Sequence, residues 1–277
     1  LLGSAAFRMH TAVFARYCDG SSWTGDATEP VHNVSSGRSV YYRGRRLLDA
    51  LIDSLLGAGL ADARVLLYGG CSAGALAAYV HADRVASVLP PSVRVLALAD
   101  GMLSLPAASY TGAALVASKF SWAVRAWNAS GSLPAACVSA HNGEDEDYGG
   151  EEGGEEGGKS GAWRCLLGAV AAKHVRVPLF SLGSLFDLWQ GGAIIGSPTA
   201  ALSDAPIDVQ RHWRSYARNL TRVARALPPS SAYFLTRCSA HCQTGSARDD
   251  PWSRGAWDGT AINGTLVSTA VEAWYTT

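Results

Sequence analysis

Residues 65–79 read VLLYGGCSAGALAAY, an apolar strand that runs into a glycine-rich turn and then into an alanine-rich helix. The turn places Ser72 between Gly70 and Gly74 in the spacing G-x-S-x-G. This arrangement is typical of a nucleophile elbow, in which a sharp strand-to-helix turn raises a serine hydroxyl to a position that a general base can reach. The alternative is an ordinary glycine-rich turn between a strand and a helix, because the motif also occurs by chance.

The neighbours of Ser72 have predicted roles of their own. The missing side chains of Gly70 and Gly74 allow a strained turn and close packing of the strand on the helix. The helix begins at Ala73, whose backbone N–H is the predicted donor to an oxyanion that develops during the reaction. We therefore predict Ser72 as the nucleophile, with Gly70, Ala73 and Gly74 forming the elbow and its oxyanion-binding backbone.

The rest of the chain continues the alternation of strands and helices. Helices are predicted over residues 43–60, 73–85 and 212–227 with further helical segments between 110 and 129, and strands over residues 11–16, 65–68, 93–99, 175–182 and 231–236. This order predicts an α/β fold with three layers, α/β/α, in which helices cover both faces of a mostly parallel central sheet.

Composition fits one domain and excludes several classes of partner. With 277 residues, 48% of them hydrophobic, the chain can bury a substantial core, and a single domain over residues 1–277 is expected. The formal net charge of zero gives no support for binding to nucleic acid or to an anionic membrane. No apolar run is long enough to span a bilayer. Motifs for a catalytic metal or a nucleotide are missing from the sequence, so we expect no cofactor, and a monomer is the default.

Cysteines and glycosylation sequons point to the secretory pathway. The six cysteines are many for a cytosolic enzyme and lack the paired C-x-x-C spacing of a zinc site, so disulfides are their expected use. Four N-x-[S/T] sequons begin at Asn33, Asn128, Asn219 and Asn263. Together they predict a secreted glycoprotein, and a cytosolic protein with unused sequons is the alternative.

An acidic segment interrupts the middle of the chain. Residues 144–158 read EDEDYGGEEGGEEGG and offer no apolar side chain for a core, which predicts a disordered insertion without chemistry. A calcium site would need a fixed ligand geometry, which the repeated glycine pairs do not provide. Cys137 and Cys165 lie on either side of the segment, so a disulfide between them would clamp its base.

Polar residues follow four of the predicted strands, at the edge where a parallel sheet places its ligand sites. They are Ser72, Asp100, Asp187 and His241. The chain order Ser, Asp, His is that of the catalytic triad on an α/β-hydrolase-like sheet, so Ser72, Asp187 and His241 are our predicted nucleophile, acid and base. Asp100 is the rival carboxylate, and its other interpretation is a loop anchor that accepts backbone hydrogen bonds.

Seven histidines compete for the role of general base, and His241 has the best position among them. It follows a strand late in the chain, and Cys238 and Cys242 flank it where a disulfide would hold its loop. His81 on the elbow helix, His174 just before a strand and His212 at a helix start stand where ordinary core or surface histidines are common. The other competitors, which lack the combined features of His241, are His10, His32 and His141.

Six motifs in one order resemble the pectin acetylesterase family, which includes the animal carboxylesterase Notum. They are RYCDGSSWTGD (16–26), YYRGRR (41–46), GCSAGALAAYVHAD (70–83), ALADG (97–101), LFDLWQ (185–190) and CSAHCQ (238–243). The resemblance covers nearly the whole chain. It implies an α/β/α fold with a serine triad carried by Ser72, Asp187 and His241, and thereby favours Asp187 over Asp100.

The chain also departs from the family pattern. Ala75 stands where the family has a further glycine and Ala82 where it has a cysteine, so one family disulfide is expected to be absent or rewired. The family's N-terminal strand and its glycine-rich oxyanion loop would precede Leu1. Loss of one oxyanion donor lowers turnover by about 100- to 1000-fold, so we expect this chain to be poorly active.

The motifs CDGSSWTGD and AHCQ resemble the plant-type members more than Notum. This implies hydrolysis of O-acetyl esters on a pectin-like cell-wall or extracellular polysaccharide, through an acyl-enzyme at Ser72. The alternatives are a Notum-like deacylase of longer acyl esters and a non-catalytic carbohydrate-binding homologue.

Two sets of side chains are candidate contacts for such a polymer. Trp23 and Trp189 can stack on sugar rings or belong to the core. The basic cluster Arg43, Arg45 and Arg46 can attract a uronate polymer or form the solvent-facing start of a helix.

Overall fold

A four-stranded parallel sheet forms the centre of the structure, a computed structural model that describes residues 7–33, 36–143, 161–244 and 256–277. The strands within these described residues are β1 (Val31–Asn33), β2 (Arg38–Val40), β3 (Val65–Cys71), β4 (Arg94–Asp100), β5 (Leu179–Ser184), β6 (Ser231–Thr236), β7 (Ala261–Ile262) and β8 (Thr265–Leu266). The helices are α1 (Gly44–Gly57), α2 (Ala73–Ser87), α3 (Leu115–Ala126), α4 (Ala135–Ala140), α5 (Gly168–Ala171), α6 (Leu188–Gln190), α7 (Ile207–Arg225), α8 (Ala256–Gly259) and α9 (Val267–Thr276).

The central sheet has the strand order β3-β4-β5-β6, and all its neighbouring pairs are parallel. The register aligns the strand ends, since Cys71 pairs with Asp100 and Ser184 pairs with Thr236. The carboxyl ends of all four strands therefore meet at one edge of the sheet. This is the edge at which parallel sheets form their ligand sites.

Helices cover both faces of the sheet. Ala97 and Ala99 of β4 pack into the largest apolar cluster, together with residues of α2, α3, α5 and α7. Leu98 lies between them in sequence and belongs to a second cluster, with Phe180 of β5 and Val271 of α9. Because successive side chains of a strand point to opposite faces, the two clusters lie on opposite sides of the sheet. The predicted three-layer α/β/α fold is confirmed.

The alternation of elements is confirmed, with shifted ends that have local causes. Strand β5 begins at Leu179 rather than at 175, directly after Pro178, a residue that cannot donate to a sheet. Helix α7 begins at Ile207, five residues before the predicted start. The strand predicted over residues 11–16 is wrong, because Val13 and Phe14 are exposed and the segment pairs with no strand in the described part of the chain.

The disulfide predicted between Cys137 and Cys165 is present. The acidic segment 144–158 that the two cysteines bracket lies outside the described residues. Across the ranges that the structure describes, none of the helices has the length and apolarity to cross a membrane.

Candidate active site

Ser72 occupies the tight turn between β3 and α2. Its φ of 57° and ψ of −116° lie outside the regions that a residue with a side chain prefers. The Ser72 N–H donates to the carbonyl of Asp100 over 2.9 Å, and the Ser72 carbonyl accepts from the N–H of Leu76 over 3.0 Å. One residue therefore ends the sheet ladder and opens the helix, which is the geometry of a nucleophile elbow.

The two glycines of the motif differ in what surrounds them. A Cβ at Gly70 would lie 2.9 Å from the Cα of Gly74, closer than real Cβ contacts. A Cβ at Gly74 would meet nothing within 4 Å. Both glycines were predicted to be needed for close packing of the strand on the helix. Of the two, only Gly70 leaves no room for a side chain.

This difference predicts opposite outcomes for two matched variants. Gly70→Ala is expected to destabilise the fold by about 1–3 kcal/mol, because the new methyl group meets helix backbone that cannot move freely. Gly74→Ala is expected to leave the free energy of unfolding unchanged or to raise it by up to about 1 kcal/mol, since alanine favours the helix over glycine. Urea denaturation of both variants measures the difference. Equal destabilisation of the two would contradict the geometry.

His241 bridges Ser72 and Asp187. Its Nε2 lies 2.8 Å from Ser72 Oγ, and its Nδ1 lies 2.8 Å from Asp187 Oδ2. Both His241 and Asp187 are buried, with 6% and 1% of their surfaces exposed. With a carboxylate beside Nδ1, the neutral ring carries its proton on that atom, and Nε2 is left to accept the hydroxyl proton of Ser72. The structure thus brings the three sequence-predicted residues into one hydrogen-bonded chain.

Asp187 is fixed by its own local structure. It stands at the N-terminus of α6, where Oδ1 accepts the N–H of Gln190 over 2.9 Å and leaves Oδ2 for His241. Burial raises the pKa of Asp187, and hydrogen bonds from His241 and from the backbone of Gln190 and Trp189 act against that rise. The buried carboxylate is therefore held by directed donors.

Gln190 is a site residue that sequence reasoning missed. Its side chain is buried, donates to the carbonyl of Leu103 over 3.3 Å and accepts from the hydroxyl of Tyr216 over 2.6 Å. These bonds fix the short helix α6, which begins directly after Asp187. The available signal was the position of Gln190 at the end of the motif LFDLWQ.

Asp100 holds a loop and does not contact the His241 ring through a hydrogen bond in the described structure. Its Oδ2 accepts from the N–H groups of Gln243 and Thr244, both over 2.7 Å, and from the Thr244 hydroxyl over 2.8 Å. Burial raises the pKa of Asp100 to about 6, and the same hydrogen bonds oppose that rise. Of its two interpretations, the loop anchor agrees with its hydrogen bonds.

A second disulfide joins Cys71 to Cys242. It connects the residue before Ser72 with the residue after His241. Cys238, the other cysteine that flanks His241, is exposed and outside any disulfide in the described part, as is Cys18. Sequence reasoning had named the cysteines around His241 as a means of holding its loop but had not found the partner on β3.

The two candidate tryptophans have different surroundings. Trp189 is half-buried, and its ring stacks against the His241 imidazole at 6.3 Å between centroids and against Phe120 at 6.5 Å. Trp23 is buried in a cluster with Leu48 of α1. Sugar stacking is therefore wrong for Trp23, and Trp189 forms an aromatic wall beside the candidate base.

The three arginines at the start of α1 are engaged within the chain. Arg45 forms an ion pair with Asp49, and Arg46 pairs with Asp26. Arg43 donates to backbone carbonyls of the preceding loop. These contacts agree better with the start of a helix, the second interpretation of the cluster, than with a site for a uronate polymer.

Among the described residues, one group of side chains has the spacing of metal ligands: Cys137, His141 and His174, whose ligand atoms lie within 4.8 Å of one another. The Cys137 sulfur is bonded to Cys165, so it offers no thiolate. Two imidazoles remain, which is fewer than the three protein ligands of a typical catalytic zinc site.

The Pectinacetylesterase profile matches residues 6–277 of the chain. The chain belongs to the pectinacetylesterase family. The family resemblance read from the six motifs is confirmed.

Curated relatives of this pectinacetylesterase chain come from plants and animals. Pectin acetylesterase 11 and pectin acetylesterase 7 of Arabidopsis thaliana are 30% and 29% identical, and each alignment covers 94% of the chain. Palmitoleoyl-protein carboxylesterase NOTUM of Homo sapiens is 27% identical over 95% of the chain. The chain spans 63% of the length of the two plant relatives and 48% of the human one.

A solved structure of the Wnt deacylase Notum from Drosophila has the same fold. It superposes with a TM-score of 0.70 at 20% identity, over 94% of this chain and 66% of the Notum chain. At this identity the likeness concerns the fold, which is α/β-hydrolase-like as the sequence predicts.

Proposed function

We propose that this chain is the catalytic part of a serine carboxylesterase that removes O-acetyl groups from a pectin-like cell-wall or extracellular polysaccharide. The observation that carries the proposal is the hydrogen-bonded chain from Ser72 Oγ through His241 to Asp187, with 2.8 Å at each step. It lies at the carboxyl edge of a parallel sheet, with its serine on a sharp elbow. Membership of the pectinacetylesterase family supports the ester and the class of substrate.

The proposed reaction begins with the attack of Ser72 on the acetyl ester, which forms a tetrahedral intermediate. As Ser72 Oγ attacks the acetyl carbonyl carbon, His241 Nε2 takes the hydroxyl proton, and the Asp187 carboxylate stabilises the imidazolium. Negative charge develops on the carbonyl oxygen. The N–H of Ala73 at the N-terminus of α2 is the proposed donor to that oxyanion, because first-turn N–H groups have no acceptor within their own helix.

The second half releases the products and restores Ser72. The tetrahedral intermediate collapses as His241 gives its proton to the sugar oxygen, which leaves as an alcohol. A water then attacks the acetyl-serine while His241 Nε2 takes a water proton, and the return of that proton to Ser72 Oγ frees acetate. Asp187 stays ionised throughout and keeps the ring in the productive tautomer.

The second candidate is a deacylase of longer acyl esters, which the similarity to human NOTUM favours. A long chain needs an apolar pocket that opens next to Ser72. The described part of the chain has a cavity of about 170 Å³ lined by alanine, proline and valine side chains with Trp163 and Arg164, but no triad residue lines it. We favour the small acetyl group because the pectin acetylesterases of Arabidopsis thaliana are more similar to the chain than human NOTUM, at 30% and 29% against 27% identity. The 2.8 Å contact between Ser72 and His241 speaks against a non-catalytic carbohydrate-binding homologue.

Secretion is part of the proposal. Two disulfides and three exposed sequon asparagines, Asn128, Asn219 and Asn263, support an extracellular protein.

The substrate is tested with the purified secreted protein. We expect acetate to be released from acetylated pectin, and p-nitrophenyl acetate to be hydrolysed with a higher kcat/KM than p-nitrophenyl octanoate. A clear preference for octanoate would favour the long-chain deacylase instead. A folded protein that hydrolyses none of the three, in an assay that detects turnover about 1000-fold below that of an ordinary esterase, would contradict both esterase functions.

A further inference from the structure

The loop that carries His241 crosses the whole carboxyl edge of the sheet. It leaves β6 at one side of the strand order, and its residues contact groups at the ends of all the other strands. On β5, the Ser184 hydroxyl donates to the Cys238 carbonyl. On β4, Asp100 accepts hydrogen bonds from Gln243 and Thr244, and on β3, Cys71 forms a disulfide with Cys242. We call residues 238–244 the strap.

The strap is fixed most firmly just after His241. The disulfide bonds the next residue, Cys242, to β3, and Asp100 gathers three donors from the following two residues on a single oxygen atom. Gly101 adds a close backbone contact, because a Cβ there would lie 2.6 Å from the His241 carbonyl oxygen. Contacts with β3 and β4 therefore fix the backbone next to His241. Asp187, which follows β5, fixes the His241 ring.

We infer that Asp100 and the Cys71–Cys242 disulfide are positioning residues that hold the His241 imidazole at hydrogen-bonding distance from Ser72. The inference rests on the proposed function, in which His241 is the base of Ser72. A general base must stay within a few tenths of an ångström of its productive place, and a loop without anchors does not supply that precision.

Fold stability alone gives a poor account of a carboxylate at position 100. Asp100 is fully buried, and its Oδ1 has no hydrogen-bond partner in the described part of the structure. Burying such a group costs free energy unless its oxygens are satisfied. The three donors on Oδ2 all come from the strap, so the arrangement serves the placement of that segment.

The first arm of the test changes the Asp100 anchor. Asp100→Ala, which removes the acceptor of all three strap bonds, and Thr244→Val are expected to lower kcat for p-nitrophenyl acetate by about 10- to 100-fold with little change in KM, since a small displacement of a catalytic group has an effect of this size. Thr244→Ser keeps the hydroxyl donor and is expected to restore kcat. Asp100→Ala in a His241→Ala background is expected to cause no further loss, because Asp100 acts through His241.

The second arm compares the two disulfides. The double variant Cys71→Ala/Cys242→Ala is expected to lower kcat at least tenfold. The control double variant Cys137→Ala/Cys165→Ala is expected to retain wild-type kcat when it is assayed below its own unfolding temperature. A crystal structure of Asp100→Ala supplies a readout that needs no turnover, and we expect the Nε2–Oγ distance to exceed the 2.8 Å of the wild type.

These results separate the inference from the proposed function. Turnover that survives Ser72→Ala contradicts the proposed function, yet the Nε2–Oγ distance still tests the positioning role. The inference is overturned if the Nε2–Oγ distance is unchanged, or if the folded variants of Asp100, Thr244 and the Cys71–Cys242 disulfide keep wild-type kcat. It is also overturned if the loss of kcat caused by the Asp100 variant is just as large in the His241→Ala background.

Discussion

Ser72→Ala is expected to lower kcat for p-nitrophenyl acetate by about 10⁴- to 10⁶-fold, the loss typical of a removed serine nucleophile. The Ser72 hydroxyl is the group that forms the covalent bond in the proposed reaction, and its contact with His241 Nε2 at 2.8 Å is the route for its proton. With a methyl group in its place, only backbone donors and substrate binding remain to accelerate hydrolysis by water.

The Ser72 variant should keep its fold. The Ser72 backbone makes the bonds that join β3 to α2, and these persist in alanine. Ser203, an exposed serine whose hydroxyl contacts Asp204, supplies the matched control, and Ser203→Ala is expected to retain wild-type kcat. Thermal unfolding and kcat are measured together for both variants. A folded Ser72→Ala protein within tenfold of wild-type turnover would exclude Ser72 as the nucleophile.

Local patterns in the sequence were sufficient for most of the sheet and for the elbow. Strand β6 spans the predicted residues 231–236, since an apolar run between a proline pair and a polar loop marks both of its ends. The elbow is visible because glycine and serine spacing encodes a turn within a few residues. The exposed apolar residues Val13 and Phe14 led to a wrong strand, because a β pattern forms a strand only where a neighbouring strand is available.

Features that depend on contacts between distant strands were less accessible. Asp100 and Asp187 both follow predicted strands, and the residues alone do not decide which one faces the base. The sheet order decides it, since β4 lies between β3 and β5 and points Asp100 at the strap. The Cys71–Cys242 disulfide joins positions 171 residues apart, and no local spacing indicates that pair.

Asp187→Asn is expected to lower kcat by about 10⁴-fold, through the tautomer of His241. In the wild type, Oδ1 accepts the Gln190 N–H while Oδ2 faces His241 Nδ1. An asparagine keeps its carbonyl oxygen toward the Gln190 N–H, so its amide NH₂ group faces Nδ1. The ring then accepts at Nδ1 and carries its proton on Nε2, where it no longer accepts the proton of Ser72.

The loss in Asp187→Asn should be catalytic rather than structural. Because burial raises the pKa of Asp187, the charge is costly in the folded state, and its removal is not expected to lower the midpoint of thermal unfolding. Asp208, exposed in the first turn of α7, provides the control, and Asp208→Asn should keep wild-type kcat. Asp100→Asn should stay close to the control, since the asparagine carbonyl oxygen still accepts the three strap donors that Oδ2 accepts in the wild type. If Asp100→Asn instead showed the larger loss and Asp187→Asn the smaller, Asp100 would be the acid of the triad.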